Sequence, residues 1–179
     1  MSTTETNTVS IPTGTWRADV VHSAVTFEVP YMGVATFSGA VTDFDATLAD
    51  GRLAGAARIA SLETKDENLQ AHLLSPEFFD AERFPEVGFT TASARDADGQ
   101  VELEGEITIK GVTQPATLTG TVVGPVTDPY GNERYGLHLE TTIDRTAFGI
   151  LWNAPMPDGS NALADEVTLK ADLSLVQAA

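Results

Sequence analysis

The 179-residue chain has no cysteine, which excludes disulfide bridges and thiolate metal sites together. Histidine is nearly as scarce. His22, His72 and His138 are the whole set, and no two stand at metal-ligand spacing. Basic residues are few, 10 Lys and Arg against 26 Asp and Glu, for a formal net charge of −16. A surface of that sign repels phosphate backbones and anionic bilayers, which argues against a nucleic-acid partner. No apolar run reaches the ~18 residues of a membrane-spanning helix. The N-terminal Met1-Ser2-Thr3-Thr4-Glu5-Thr6-Asn7-Thr8 lacks the basic and apolar regions of a signal peptide. The expectation is a soluble, cytoplasmic protein without stable membrane insertion. Also missing are a Gly-x-Ser-x-Gly elbow, a phosphate loop and a dinucleotide fingerprint. His22 and Ser23 make no nucleophile–base pair, because neighbours on a strand point to opposite faces. Neither catalysis nor a cofactor is expected.

What is present is alternation. Hydrophobic residues make up 42 % and charged residues 20 %, the balance of one globular domain rather than a disordered chain. Residues 1–13 form a polar, threonine-rich segment expected to be a mobile tail, and 14–179 form the domain. Val101-Glu102-Leu103-Glu104-Gly105-Glu106-Ile107-Thr108-Ile109-Lys110 alternates without a slip, as a half-buried strand does. Leu137, Leu139, Thr141 and Ile143 repeat the pattern, and so do Val167, Leu169, Ala171, Leu173 and Leu175. Between Ala35 and Leu48 the apolar parity changes near Thr42-Asp43, which predicts a bulge or sharp bend. Asp50-Gly51 and Asp98-Gly99 mark two-residue hairpins, and Lys110-Gly111 and Pro129-Tyr130-Gly131-Asn132 mark two more turns. About eight or nine strands joined by short turns favour an up-and-down antiparallel barrel, with a two-sheet sandwich as the rival.

One segment interrupts the strands. From Lys65 to Phe84 the spacing of Leu69, His72 and Leu73 predicts a short helix. Ser75-Pro76-Glu77 reads as a fresh helix start leading into a single turn that carries Phe78 and Phe79, and Pro85 forces the exit. Large apolar side chains in such an insertion need a surface to bury against, and the open end of a barrel supplies one. The inward parity is short of charge and rich in small residues, Gly39, Ala46, Gly55, Ala57, Gly105, Gly120 and Ala171. Either they leave room for a hydrocarbon ligand, or they are backbone devices for coiling and bulges. The candidate ligand-binding residues are Phe27, Phe37, Phe44, His72, Leu73, Phe78, Phe79, Phe84, Phe89, Leu103, Ile107, Phe148 and Trp152. Arg145 is expected to pair with a carboxylate near the barrel rim, with contact to a ligand head group as the alternative use.

From Trp16 to about Val176 the quoted motifs resemble the YceI-like family. The carriers are Trp16-Arg17-Ala18-Asp19 with His22-Ser23, and the stretch Ala71-His72-Leu73 to Phe84-Pro85. Gly105-Glu106-Ile107-Thr108-Ile109-Lys110-Gly111 and Arg145-Thr146-Ala147-Phe148-Gly149 complete the set. The resemblance implies an all-β, eight-stranded, lipocalin-like up-and-down barrel with a helical insertion. It also implies binding of isoprenoid or other long-chain lipid in the interior, and homodimers. Two positions depart from the family pattern. Pro30-Tyr31-Met32 stands where many members have a histidine, and Gln70 stands where many have an arginine. A different class of function stays open, a stress-related barrel that acts through a protein partner without an essential ligand.

Overall fold

The computed structural model describes residues 10–178. Its strands are β1 (Thr15–Ala18), β2 (Ala24–Tyr31), β3 (Ala35–Val41), β4 (Phe44–Ala49), β5 (Arg52–Arg58) and β6 (Leu62–Glu63). They continue as β7 (Glu86–Ala97), β8 (Gln100–Ile109), β9 (Val112–Thr127), β10 (Glu133–Asp144) and β11 (Glu166–Gln177), with helix α1 (Glu67–Leu74) between β6 and β7. The antiparallel order β1-β4-β5-β7-β8-β9-β10-β11 returns to β1 and closes an eight-stranded barrel, not a sandwich. Closure removes the exposed edges that an open meander would leave.

Two of the staves are broken at the waist. β11 pairs with β1 at Leu175–Gln177 and with β2 at Thr168–Asp172, so β1 and β2 lie end to end along one neighbour. β3 stops at Val41 and β4 starts at Phe44, so the break falls where the apolar parity changes. At Asp50-Gly51, Asp98-Gly99 and Lys110-Gly111 both residues have positive φ, between 50° and 82°. That is the geometry of two-residue hairpins whose twist matches the strands. Residues 1–9 of the expected tail lie outside the described residues. Residues 10–13 are tied down: Pro12 is buried, and the Ile11 N–H donates to Asp96 Oδ2 at 2.6 Å.

Apolar side chains fill the barrel from both ends. The closed end packs Trp16, Leu48, Leu53, Leu103, Val122, Leu137 and Leu175, with Trp16 edge-on to Tyr135 at 5.0 Å. The opposite, mouth end packs Phe27, Val29, Leu62, Leu73, Phe78, Ile109, Phe148, Ile150 and Leu163.

Candidate functional site

Two segments cap the mouth, and neither belongs to the barrel ladder. The first is α1 with the turns that follow it. Asp66 caps α1 by accepting from the Leu69 N–H at 2.9 Å, which satisfies an otherwise unpaired donor of the first turn. Ser75 ends this helix and does not start a second one. The Phe78 and Asp80 N–H groups both donate to Ser75 O, so residues 75–84 form turns instead of the expected fresh helical start. The second segment runs from 145 to 165 and is organised by Arg145, whose side chain is 4 % exposed. Its guanidinium donates to Ala164 O, Ile150 O and Trp152 O, each at 2.9 Å, and lies 3.8 Å from Asp165. The expected carboxylate partner is therefore present, but three backbone carbonyls do most of the holding. Burial pushes the guanidinium pKa down, with Asp165 and Asp144 opposing.

The two segments meet through aromatic rings. His72 lies edge-on to Phe78 at 4.8 Å and to Trp152 at 4.6 Å, and Phe78 lies 5.4 Å from Trp152. His72 Nε2 is 2.6 Å from Glu77 Oε2, which fixes the ring between them. Phe27 joins this cap to the barrel wall through Phe37 and Phe79, both at 6.3 Å.

Between the two packed ends lies a cavity of about 130 Å³. Phe44, Ala46, Gly55, Ala57, Phe89, Ile107, Leu139 and Leu169 line it, and every inward side chain of the lining is uncharged. Asp45 and Lys170 border it from the outer face, where they pair with Arg58 at 2.7 Å and Glu28 at 3.3 Å. Among the described residues that line the cavity, Thr141, buried on β10, is the one polar side chain that faces inward.

The candidate residues therefore fall into three places. Phe44, Phe89 and Ile107 line the cavity. Phe27, Phe37, His72, Leu73, Phe78, Phe79, Phe148 and Trp152 form the cap and the wall beneath it. Leu103 and Phe84 join neither group. Leu103 is fully buried in the closed-end core, and Phe84 sits under the Arg83 guanidinium beside the Lys110-Gly111 turn. Alternation cannot separate these places, because depth along the barrel axis leaves no mark on parity.

Two of the small inward residues have a backbone role. A Cβ on Gly120 would sit 1.6 Å from His138 O, and one on Gly105 would sit 2.0 Å from Thr90 O. Gly105 lies at the bulge between β7 and β8, where the ladder shifts register. Gly55 does line the cavity.

The barrel wall also has a seam. The β9–β10 ladder runs from Glu133↔Thr127 to Glu140↔Thr119 and stops. Beyond it, among the described residues, β9 from Val112 to Leu118 pairs with β8 alone, and β10 from Thr141 to Asp144 with β11 alone. Pro115, which has no N–H to give a second ladder, lies on this half-paired stretch. Gln114 Nε2 donates across the gap to Ala147 O at 3.3 Å. A cleft of about 1,500 Å³ follows the seam, and its lining shares Leu139, Thr141 and Lys170 with the waist cavity.

At the closed end a charged chain links β1, β9 and β10. Arg134 donates to Asp128 at 2.8 Å and to Asp19 at 2.9 Å, and Asp19 lies 2.7 Å from His22 Nδ1. Arg134, with the Asn132 N–H, holds the Asp128 carboxyl down to a pKa of about 2. Ser23 faces elsewhere, accepting from the Ser174 N–H at 2.9 Å, so His22 and Ser23 are not a catalytic pair. Among the described residues no group of three or more His, Asp or Glu is placed to hold a metal ion.

Known proteins share both the sequence pattern and the architecture. The family described as YceI-like domain matches residues 16–175. Protein YceI of Salmonella arizonae is 30 % identical over 136 residues, 72 % of this chain and 71 % of that protein. Among solved structures, Burkholderia cenocepacia BcnA superposes with a TM-score of 0.70 at 20 % identity, over 90 % of this chain and 99 % of its own. The Campylobacter jejuni YceI protein gives 0.71 at 22 % identity, over 82 % and 88 %. A polyisoprenoid binding domain from Saccharophagus degradans gives 0.67 at 12 % identity, over 91 % and 98 %. With the family match running over residues 16–175, from the first barrel strand to the last, the chain belongs to the YceI-like family.

Proposed function

We propose that this protein binds a long-chain apolar or amphiphilic lipid, of the isoprenoid, polyprenyl or quinone type, inside the barrel for carriage or sequestration. The observation that carries this reading is the uncharged waist cavity closed off by two loop segments instead of by the sheet. Each methylene buried there contributes ~0.8 kcal/mol before ordering costs, so a hydrocarbon chain needs no charged anchor. A volume of about 130 Å³ is smaller than the roughly 300–1,000 Å³ of ordinary ligand pockets. A long chain therefore occupies the waist only if the aromatic cap separates from the wall. A cap joined by ring contacts and held from below by Phe27 can do so while the closed-end core stays intact. The described polyisoprenoid binding by the Saccharophagus degradans domain, which shares this barrel, supports the same ligand class.

The test is organic extraction of the purified protein followed by mass spectrometry, with thermal melts in the presence of isoprenoid quinones and fatty acyl probes. A bound lipid near one per barrel, or stabilisation by roughly 2.7 kcal/mol at a hundredfold excess over Kd, is the expected result. Clean extracts together with no shift for any probe would remove the carrier reading.

A further inference from the structure

We propose that the β9/β10 seam is a lateral head-group site. It takes the neutral oxygen of an amphiphile, hydroxyl or carbonyl, whose tail begins in the waist cavity. The inference rests on the lipid reading above and adds which end of the molecule goes where, and what chemistry that end has.

Three independent observations converge on it. The ladder is unzipped on the mouth side of Glu140↔Thr119, so the wall opens there without any break in the chain. The cleft that follows is bordered by hydroxyls and an amide, Thr117, Thr119, Thr142 and Gln114, beside a cavity whose inward lining is otherwise apolar. Where cleft and cavity meet stands Thr141. It is 8 % exposed, and its hydroxyl, which makes no side-chain hydrogen bond among the described residues, is not sealed off from the cleft. A hydroxyl that reaches the cleft can both donate to and accept from an incoming oxygen. A ligand oxygen at this junction would bond to it.

Charge then decides the class of head. The cleft carries five acidic side chains against Arg95 and Lys170. Both cations are already engaged, Arg95 with Glu104 at 3.5 Å and Lys170 with Glu28 at 3.3 Å. A phosphate or carboxylate head would enter a negative field with no cation to receive it. A neutral donor–acceptor head meets no such cost. The cavity beside Thr141 holds a group of about ring or single-isoprene size, since a cavity of roughly 150 Å³ accommodates benzene.

The experiment uses the full chain and three probes with one hydrocarbon skeleton: farnesol, farnesyl phosphate and farnesene. Equilibrium dialysis measures each against the wild type, Thr141→Val and Thr141→Ser. We expect farnesol to bind at least tenfold more tightly than farnesyl phosphate. Thr141→Val should weaken farnesol about two- to tenfold, the worth of one neutral hydrogen bond, and leave farnesene within twofold. Thr141→Ser keeps a hydroxyl and should keep the preference for farnesol. Equal effects of Thr141→Val on farnesol and farnesene, or phosphate binding as strong as alcohol binding, would overturn the head-group site while leaving the carrier reading in place. If the wild type retains none of the three, both fall together.

Discussion

Truncating Phe78 to alanine tests whether the aromatic cap is a gate. Phe78 is 5 % exposed and touches both lips of the mouth, His72 on its own segment and Trp152 on the other. Loss of a buried phenylalanine costs roughly 3–5 kcal/mol, of which edge-on ring pairs make up about 0.5–1.5 kcal/mol each. Where that cost appears is the informative part. If the cap docks and undocks as a local unit, the loss falls on the closed cap, and each 1.4 kcal/mol speeds opening about tenfold. Release of a fluorescent polyene should then accelerate by about two to three orders of magnitude, with the urea midpoint of the barrel little changed. Leu103→Ala is the control, because Leu103 is fully buried in the closed-end core, far from either lip. It should cost roughly 2–5 kcal/mol in the urea melt and leave release kinetics alone. Stopped-flow release read beside urea melts supplies both quantities. If Phe78→Ala lowers global stability by the full amount and leaves release unchanged, the cap is a fixed plug and the gating argument fails.

Further outcomes are expected from other parts of the molecule. Gly120→Ala forces a Cβ into His138 O and should destabilise by at least the upper end of the ~1–3 kcal/mol typical of overpacking, seen as a lower urea midpoint. Gly105→Ala should behave likewise against Thr90 O, while probe binding by the folded fraction stays normal. Arg145→Met strands three backbone carbonyls and should cost on the order of 3 kcal/mol, with the amides of 149–165 losing hydrogen-exchange protection first. Asp128 has its folded pKa depressed to about 2. The stabilisation it provides is therefore complete above the unfolded carboxylate pKa near ~4 and is lost as pH falls through about 2. Asp128→Asn should flatten the decline of melting temperature across that acid window, and an unchanged slope would place the acid sensitivity elsewhere.

Much of the architecture was legible because inside and outside alternate along a half-buried strand. β8 and β10 follow their apolar parity residue by residue, β11 does so at its two ends, and the break between β3 and β4 falls at the parity change. The hairpins at Asp50-Gly51 and Asp98-Gly99 were legible for a local reason too, since few other pairs adopt two positive φ angles in succession. The turn after α1 runs against its local sequence signal. Ser75-Pro76-Glu77 has the chemistry of a helix start, yet Ser75 closes α1 instead. The site was half legible. Its aromatic residues could be named, but not sorted into cavity, cap and core.

The amino-acid sequence by itself determined a charge-rich exterior, an apolar interior, the turns and one helical insertion, because each follows from neighbours within a few positions. Only the tertiary structure decided how far each ladder runs and which backbone approaches which. Parity gives Gly105, Gly120 and Gly55 the same inward reading, and the carbonyl of an adjacent strand separates them. The ring contact between His72 and Trp152 joins segments remote in sequence. The β9/β10 seam left one local trace, Pro115, because strand pairing is a property of two strands and not of either alone.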